Sequence, residues 1–291
     1  MSAMHNARVL RLRTVVFNYA LNMMRLLSKL KKAVWPLEGK RLLEERLSQK
    51  KSLGYFHEDE AFEAIQLVKR NTMLPYEELI SLYEQVVYCE KNNILGAFVE
   101  CGVWKGGAAG LMASASLRHG NGLRSMYLFD AFDDICEPNS VHDDQELITE
   151  VRKIVKSKVL NFEGRLNPLN GIYKKWGGHG TLEECQYLFS EIIGYPSARV
   201  HYVKGWFQET VAREATHIPE IAILRLDGDW YESTRVCLEA FYPLLSKGGI
   251  CIIDDYGYNS GCKKAVDEYL RSINSHPLMA RVGYLRYWIK V

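Results

Sequence analysis

Residues Ile221 to Tyr256 read IAILRLDGDWYESTRVCLEAFYPLLSKGGICIIDDY, and the rest of the chain arranges itself around them. IAILRL is a continuous apolar run that ends abruptly in Asp227-Gly228-Asp229. GICII is a second such run, ending in Asp254-Asp255. The segment between them has the length of a helix and stops at Lys247-Gly248-Gly249. Two runs buried on both faces and joined by a helix are the pattern of a parallel sheet. Such sheets bind ligands beyond the carboxyl ends of their strands. Four carboxylates are therefore predicted at one sheet edge. They repel one another, and a hard divalent cation with oxygen ligands is the simplest neutraliser. Taken singly, each acid also has a structural alternative: Asp229 stands where it would cap the helix WYESTRVCLEAF.

Composition sets the outer bounds. The chain has 291 residues, 47% apolar and 25% charged, which is ordinary for a globular protein of one large domain. Its seven cysteines include no CxxC pair, which predicts neither a zinc ribbon nor a disulfide framework and suggests a reducing cytosol. No apolar run approaches the ~20 residues of a membrane span, and no secretory signal is expected. The net charge of +2 hides an asymmetry. Residues 1–53 carry 12 Lys and Arg against 3 Asp and Glu; the remaining 238 residues carry 25 against 32. A basic arm is joined to an acidic body. Within the arm, VVFNYALNMMRLLSKLKKAVW spaces apolar residues and lysines as an amphipathic helix does. Packing on the body or on a second subunit is the first reading of it, and peripheral contact with an anionic membrane the second. An acidic body without a basic stripe argues against nucleic acid.

Residues 54–291 form the predicted catalytic domain. Residues 54–93 read as helical, with a break at Asn71-Thr72-Met73-Leu74-Pro75. AFVE is then a short strand, Glu100-Cys101-Gly102-Val103-Trp104-Lys105-Gly106-Gly107 a glycine-rich turn, and AAGLMASASL a helix. The spacing is E-x-G-x-x-x-G, not the G-x-G-x-x-G of dinucleotide sites. It suits a nucleoside ligand without a phosphate, such as S-adenosylmethionine: glycines admit the backbone close to the ligand, and the acid pairs with an amine or hydroxyl. The next strand, SMYLFD, ends in Asp130, placed for the ribose hydroxyls. Residues 131–194 are the least regular part and read as a substrate-side insertion or lid. His142 and His179 lie in it, each a candidate catalytic group or a bystander. Thr181 to Glu184 has the pattern of a capping box opening a helix to Ile193. After ARVHYVKGWF, Trp206 and Phe207 stand ready to stack on adenine or to pack in the core.

FVECGVWKGG, YLFDAF, KGWF, LRLDGDWYEST, LLSKGGICIIDDYG and GCKKAVDEY, in this order, resemble the macrocin O-methyltransferase family over Thr72 to Lys290. The resemblance implies a class I methyltransferase fold: an α/β, Rossmann-like architecture whose seven-stranded sheet is mostly parallel with the last strand antiparallel. It implies S-adenosylmethionine, a divalent cation (magnesium or manganese), a homo-oligomer (dimer or tetramer), and methylation of a hydroxyl on a sugar or glycosylated natural product. By motif, Asp227, Asp254 and Asp255 resemble the metal ligands and Asp229 the general base. Glu100, Gly102, Gly106, Asp130 and Trp206 fall at cofactor positions, and Thr72-Met73 resembles the segment that covers the cofactor. Where the family often reads SFEGLP, this chain reads AFDDICEP. Two alternatives remain: a catechol-type enzyme acting on an aromatic diol, and a membrane-associated scaffold that keeps the fold without the activity. The expected location is cytoplasmic, with membrane contact confined to the arm.

Overall fold

The computed structural model describes residues 53–121 and 124–291; the predicted arm over residues 1–53 lies outside the described residues except for Leu53. Two helices precede the sheet, α1 (Glu58–Val68) and α2 (Tyr76–Lys91), with Pro75 at the N-cap of α2. Proline suits a helix start because the donor it lacks would have no partner there.

Seven strands follow: β1 (Ala97–Cys101), β2 (Met126–Asp130), β3 (Val200–Lys204), β4 (Ile221–Leu226), β5 (Leu245–Ile253), β6 (Ala280–Val282) and β7 (Leu285–Ile289). Their order is β3-β2-β1-β4-β5-β7-β6. β1 to β5 are mutually parallel, while β7 runs antiparallel between β5 and β6. RYWIKV thus enters the sheet as an inner antiparallel strand. The order reverses between β1 and β4, which opens a crevice at their carboxyl ends.

Side chains alternate across each strand and divide the core in two. Phe98 of β1, Ile250 and Ile252 of β5 pack with α1, α2 and α3 (Gly107–His119). Val99, Cys101, Leu224 and Ile253 pack with α6 (Phe207–Glu214), α7 (Tyr231–Phe241) and α8 (Ser260–Ser272) on the other face. Between β2 and β3 run α4 (Gln145–Val155) and α5 (Leu182–Tyr187), the latter continuing as a π-helical turn over Leu188–Ile193. The capping box is present: the Thr181 side chain accepts from the Glu184 N–H, and the Glu184 carboxylate accepts from the Thr181 N–H. All seven cysteines are buried free thiols, and among the described residues no helix is long and apolar enough to cross a membrane.

The insertion is more ordered than its composition predicts. It carries α4, capped by the Asp144 side chain, and a small core of its own in which Ile148, Val151, Phe162 and Leu169 meet Trp230. The Trp230 indole N–H donates to the Cys136 carbonyl at 2.9 Å, which fastens the insertion to the turn after β4.

Candidate active site

The carboxyl ends of β1, β2, β4 and β5 surround a cavity of about 470 Å³. Four sheet-ladder bonds fix the segments around it: Gly102 N–H to Phe129 O, Asp227 N–H to Cys101 O, Asp254 N–H to Leu226 O and Gly205 N–H to Asp130 O, all 2.8 to 2.9 Å. These bonds carry the strand pairing one residue past each strand end; at Asp254 the backbone then turns into a short 3-10 helix over Asp255–Gly257.

Period-2 alternation decides which side chains meet. Glu100 and Arg225 are register partners on adjacent parallel strands. Asp227 lies two residues beyond Arg225, and Asp254 two beyond Ile252, which pairs with Arg225. All four therefore share one sheet face. Arg225 Nη1 donates to Glu100 Oε1 at 2.7 Å and to Asp227 Oδ2 at 2.9 Å; Nη2 donates to Asp254 Oδ1 at 2.6 Å. The chain thus supplies one positive charge of its own beside the expected divalent cation. The sequence reading absorbed Arg225 into an apolar run. The signal was there: one arginine inside a strand that is otherwise fully apolar and fully buried.

Asp227, Asp254 and Asp255 each present a carboxylate oxygen, and these oxygens lie within 4.8 Å of one another. Each acid also commits one oxygen to a hydrogen bond, Asp255 Oδ2 accepting from the Asp229 N–H at 3.0 Å, so the second oxygen is left for a ligand. Three hard anionic oxygens on rigid strand ends fit a magnesium- or manganese-sized cation. Burial and mutual repulsion push Asp254 and Asp255 well above the usual carboxylate range. That is the signature of a site short of positive charge.

Asp229 does not cap α7. Its backbone is left-handed, with φ of 58°. The N-cap is Trp230, which makes no side-chain cap, and the first-turn Tyr231 N–H is instead received by the buried Asp143 of the insertion at 2.8 Å. The Asp229 backbone is held on both sides, its N–H by Asp255 and its carbonyl by the Asn259 amide. Its carboxyl lines the cavity and is pushed up to about 7 by burial, then by Asp227 and Asp143.

The glycine-rich turn lines the same cavity, directly beside Asp227. A Cβ on Gly102, whose φ is +91°, would lie 1.8 Å from the Asp227 carbonyl oxygen, so only glycine lets the two strand ends meet. Gly106 stands beside the cavity wall; a Cβ there would meet Cys185 Sγ at 2.7 Å, so a glycine there admits α5. Asp130 is in the wall but much of its hydrogen-bonding capacity is spent: Oδ2 accepts from the Val103 and Trp104 N–H groups at 2.6 and 2.9 Å, and Oδ1 from Phe132 N–H at 2.6 Å. It braces the turn as well as facing the cavity. Glu100 is 1% exposed, and its Oε2 makes no hydrogen bond of ordinary geometry. Burial pushes this carboxyl up to about 7, against the pull of Arg225. The Ala109 backbone N–H also pulls this carboxyl down, and the residue lines the cavity within reach of a ligand donor.

Thr72, Met73 and Trp206 all line the cavity as expected. His142 and His179 do not. His142 stacks on Tyr231 at 4.4 Å, and His179 lies 3.8 and 3.9 Å from Asp133 and Asp134. Glu78 and Tyr173 are among the wall residues that went unforeseen. Glu78, from the first turn of α2, is pushed up to about 6 by burial. Tyr173 reaches in from the insertion, where burial and then Asp229 raise its phenol well above the usual range. Neither stands near a motif, so only the folded chain brings them in.

The profile of the macrocin O-methyltransferase (TylF) family matches residues 59–162 and 182–290. A tetracenomycin enzyme from Streptomyces olivaceus, named 8-demethyl-8-(2,3-dimethoxy-alpha-L-rhamnosyl)-tetracenomycin-C 4'-O-methyltransferase, is 32% identical over 199 residues, covering 68% of this chain and 67% of its own. The demethyldecarbamoylnovobiocin O-methyltransferase of Streptomyces niveus is 32% identical over 201 residues, with coverage of 68% and 67%. The solved structure of the O-methyltransferase NovP superposes with a TM-score of 0.60 at 24% identity, over 87% of this chain and 99% of that one, and shares its fold.

Proposed function

The chain belongs to the macrocin O-methyltransferase family, and from that membership we propose that it methylates a hydroxyl of a sugar on a glycosylated natural product, using S-adenosylmethionine and a divalent cation. One observation carries the reading. A single cavity is lined both by the Glu100–Gly102 turn and by the Asp227, Asp254, Asp255 cluster with Asp229. Both relatives quoted above are O-methyltransferases by name, and the name of the first specifies a rhamnosylated compound, which supports the acceptor class.

The transfer forms a C–O bond at the acceptor hydroxyl and breaks the C–S bond of the sulfonium, whose electron pair stays on sulfur. Glu100 offers its Oε2 to an amine or hydroxyl of the cofactor. Thr72, Met73 and Trp206 cover the cofactor and exclude water. Asp227, Asp254 and Asp255 hold the cation, which supplies Lewis acidity that lowers the pKa of the acceptor hydroxyl. Asp229 takes the hydroxyl proton at its carboxylate; a pKa near 7 suits a general base at neutral pH. Holding oxygen, methyl and sulfur in line supplies much of the rate. Tyr173 and Glu78 complete the wall.

Calorimetric titration of S-adenosylmethionine into the full chain, with and without magnesium, tests the cofactor half. A Kd of about 1–100 µM is expected. Paired assays with methyl α-L-rhamnopyranoside and with catechol test the acceptor half, with faster formation of S-adenosylhomocysteine on the sugar. No binding at millimolar cofactor would overturn the enzymatic reading, and turnover of catechol alone would move the acceptor class.

The basic arm supports a second part of the proposal, peripheral contact with an anionic membrane and assembly as a homo-oligomer. The full chain is expected to sediment with phosphatidylserine vesicles at low salt, and a chain starting at Ser52 to stay in solution. Equal sedimentation of the two would remove the membrane contact.

A further inference from the structure

We infer that Arg225 is the site's built-in counter-cation, a positioning residue that keeps Glu100, Asp227 and Asp254 converged before any metal arrives. The inference rests on the reading that Asp227, Asp254 and Asp255 hold a divalent cation.

The geometry is that of a clamp. Arg225 is 2% exposed in the middle of the sheet, and its guanidinium contacts three carboxylates from three different strands or strand ends. Nη1 is shared between Glu100, on the cofactor side, and Asp227, on the cation side. Nη2 takes Asp254 alone. One side chain thus contacts the acid of the glycine-rich turn and two acids of the cation cluster. A guanidinium stays protonated throughout the range a protein experiences, so Arg225 is a fixed positive charge. Charge explains why an arginine is needed. Carboxylates a few ångströms apart at protein-like dielectric repel by several times RT. Without a counter-charge they would either splay apart or take up protons, and no preformed site would await the cation. One positive charge among three negative ones opposes both without balancing them, so the cluster still attracts a divalent ion. A lysine would keep the charge but not the planar fork that spans Nη1 and Nη2.

The test is thermal melting of the full-length wild type, Arg225→Lys and Arg225→Met, each in EDTA and in saturating MnCl2. Wild type is expected to melt within a few degrees under both conditions, because its cluster is already assembled. Arg225→Lys is expected to lose roughly 10 °C in EDTA and to regain more than half of that with Mn2+, an increment at least twice that of wild type. Arg225→Met is expected to fold only with Mn2+ present. A structural role alone would lower both melts equally and leave the Mn2+ increment unchanged. Arg225→Lys melting within about 2 °C of wild type in EDTA, or equal Mn2+ increments in both, overturns the inference. Calorimetry of Mn2+ with wild type separates the two claims. Absence of binding there sinks the cation reading, and the counter-cation inference then stands or falls on the EDTA melt of Arg225→Lys.

Discussion

Asp254→Asn is expected to lower kcat on the order of 10³-fold at 1 mM magnesium, to recover part of that in excess manganese, and to leave the affinity for S-adenosylmethionine within a few-fold of wild type. Asparagine has the same shape, and its amide oxygen can still accept from Arg225 Nη2, which Asp254 Oδ1 does at 2.6 Å. The sheet-ladder bond from the Asp254 N–H to the Leu226 carbonyl does not depend on the side chain. The variant should therefore fold. What it loses is one negative charge and one hard oxygen among the three that lie within 4.8 Å. Lewis-acid activation contributes several kcal/mol to such reactions, and each 1.36 kcal/mol is tenfold in rate, which sets the scale. Because part of the deficit is in cation occupancy, added metal should reverse that part. A magnesium titration of kcat checks this. Wild-type turnover at micromolar magnesium, or a loss that no concentration of metal relieves alongside a loss of cofactor binding, would remove Asp254 from the cation site.

The sequence revealed the elements that depend on local pattern and hid those that depend on what the fold brings together. β4 and β5 were legible because both are apolar runs ended by paired acids, and α5 because a capping box is written in four residues. The metal-capable triad followed from strand ends in a parallel sheet. Arg225 was hidden by the same logic, since a run scored as apolar conceals its one charged member; yet period-2 alternation places it on the face of Glu100, Asp227 and Asp254. Gly106 stands beside the cavity wall, and its close approach to Cys185 was not legible, because a glycine required by a neighbouring helix looks in sequence like one required by a ligand. Asp130 was legible as a wall residue, but its three backbone hydrogen bonds were not, because they depend on where the turn folds back. Asp143 capping α7 from 88 residues away, and Tyr173 entering from the insertion, are products of tertiary structure alone.

Asp229→Asn is expected to cost about 10² to 10⁴ in kcat, the range of a general base, with cofactor and cation affinities both retained. The local geometry makes this an unusually clean substitution. The Asp229 backbone sits at φ of 58°, a left-handed conformation that asparagine adopts as readily as aspartate. Its anchors are backbone groups, the N–H to Asp255 and the carbonyl from Asn259, so exchanging the side-chain carboxylate leaves them in place. The acidity of the group supplies a second readout. Burial, then Asp227 and Asp143, raise its pKa to about 7. A base works when ionised, so kcat/KM in wild type should rise with pH and level off once the carboxyl has lost its proton. Cation binding offsets the charge of Asp227, so the limb should lie below 7 in the metal-loaded enzyme. In Asp229→Asn that acidic limb should disappear, leaving a low and nearly flat profile. A variant that keeps the limb while losing rate would show that another group takes the proton. Glu78, whose carboxyl is pushed up to about 6 in the same cavity wall, would then be the residue to replace next.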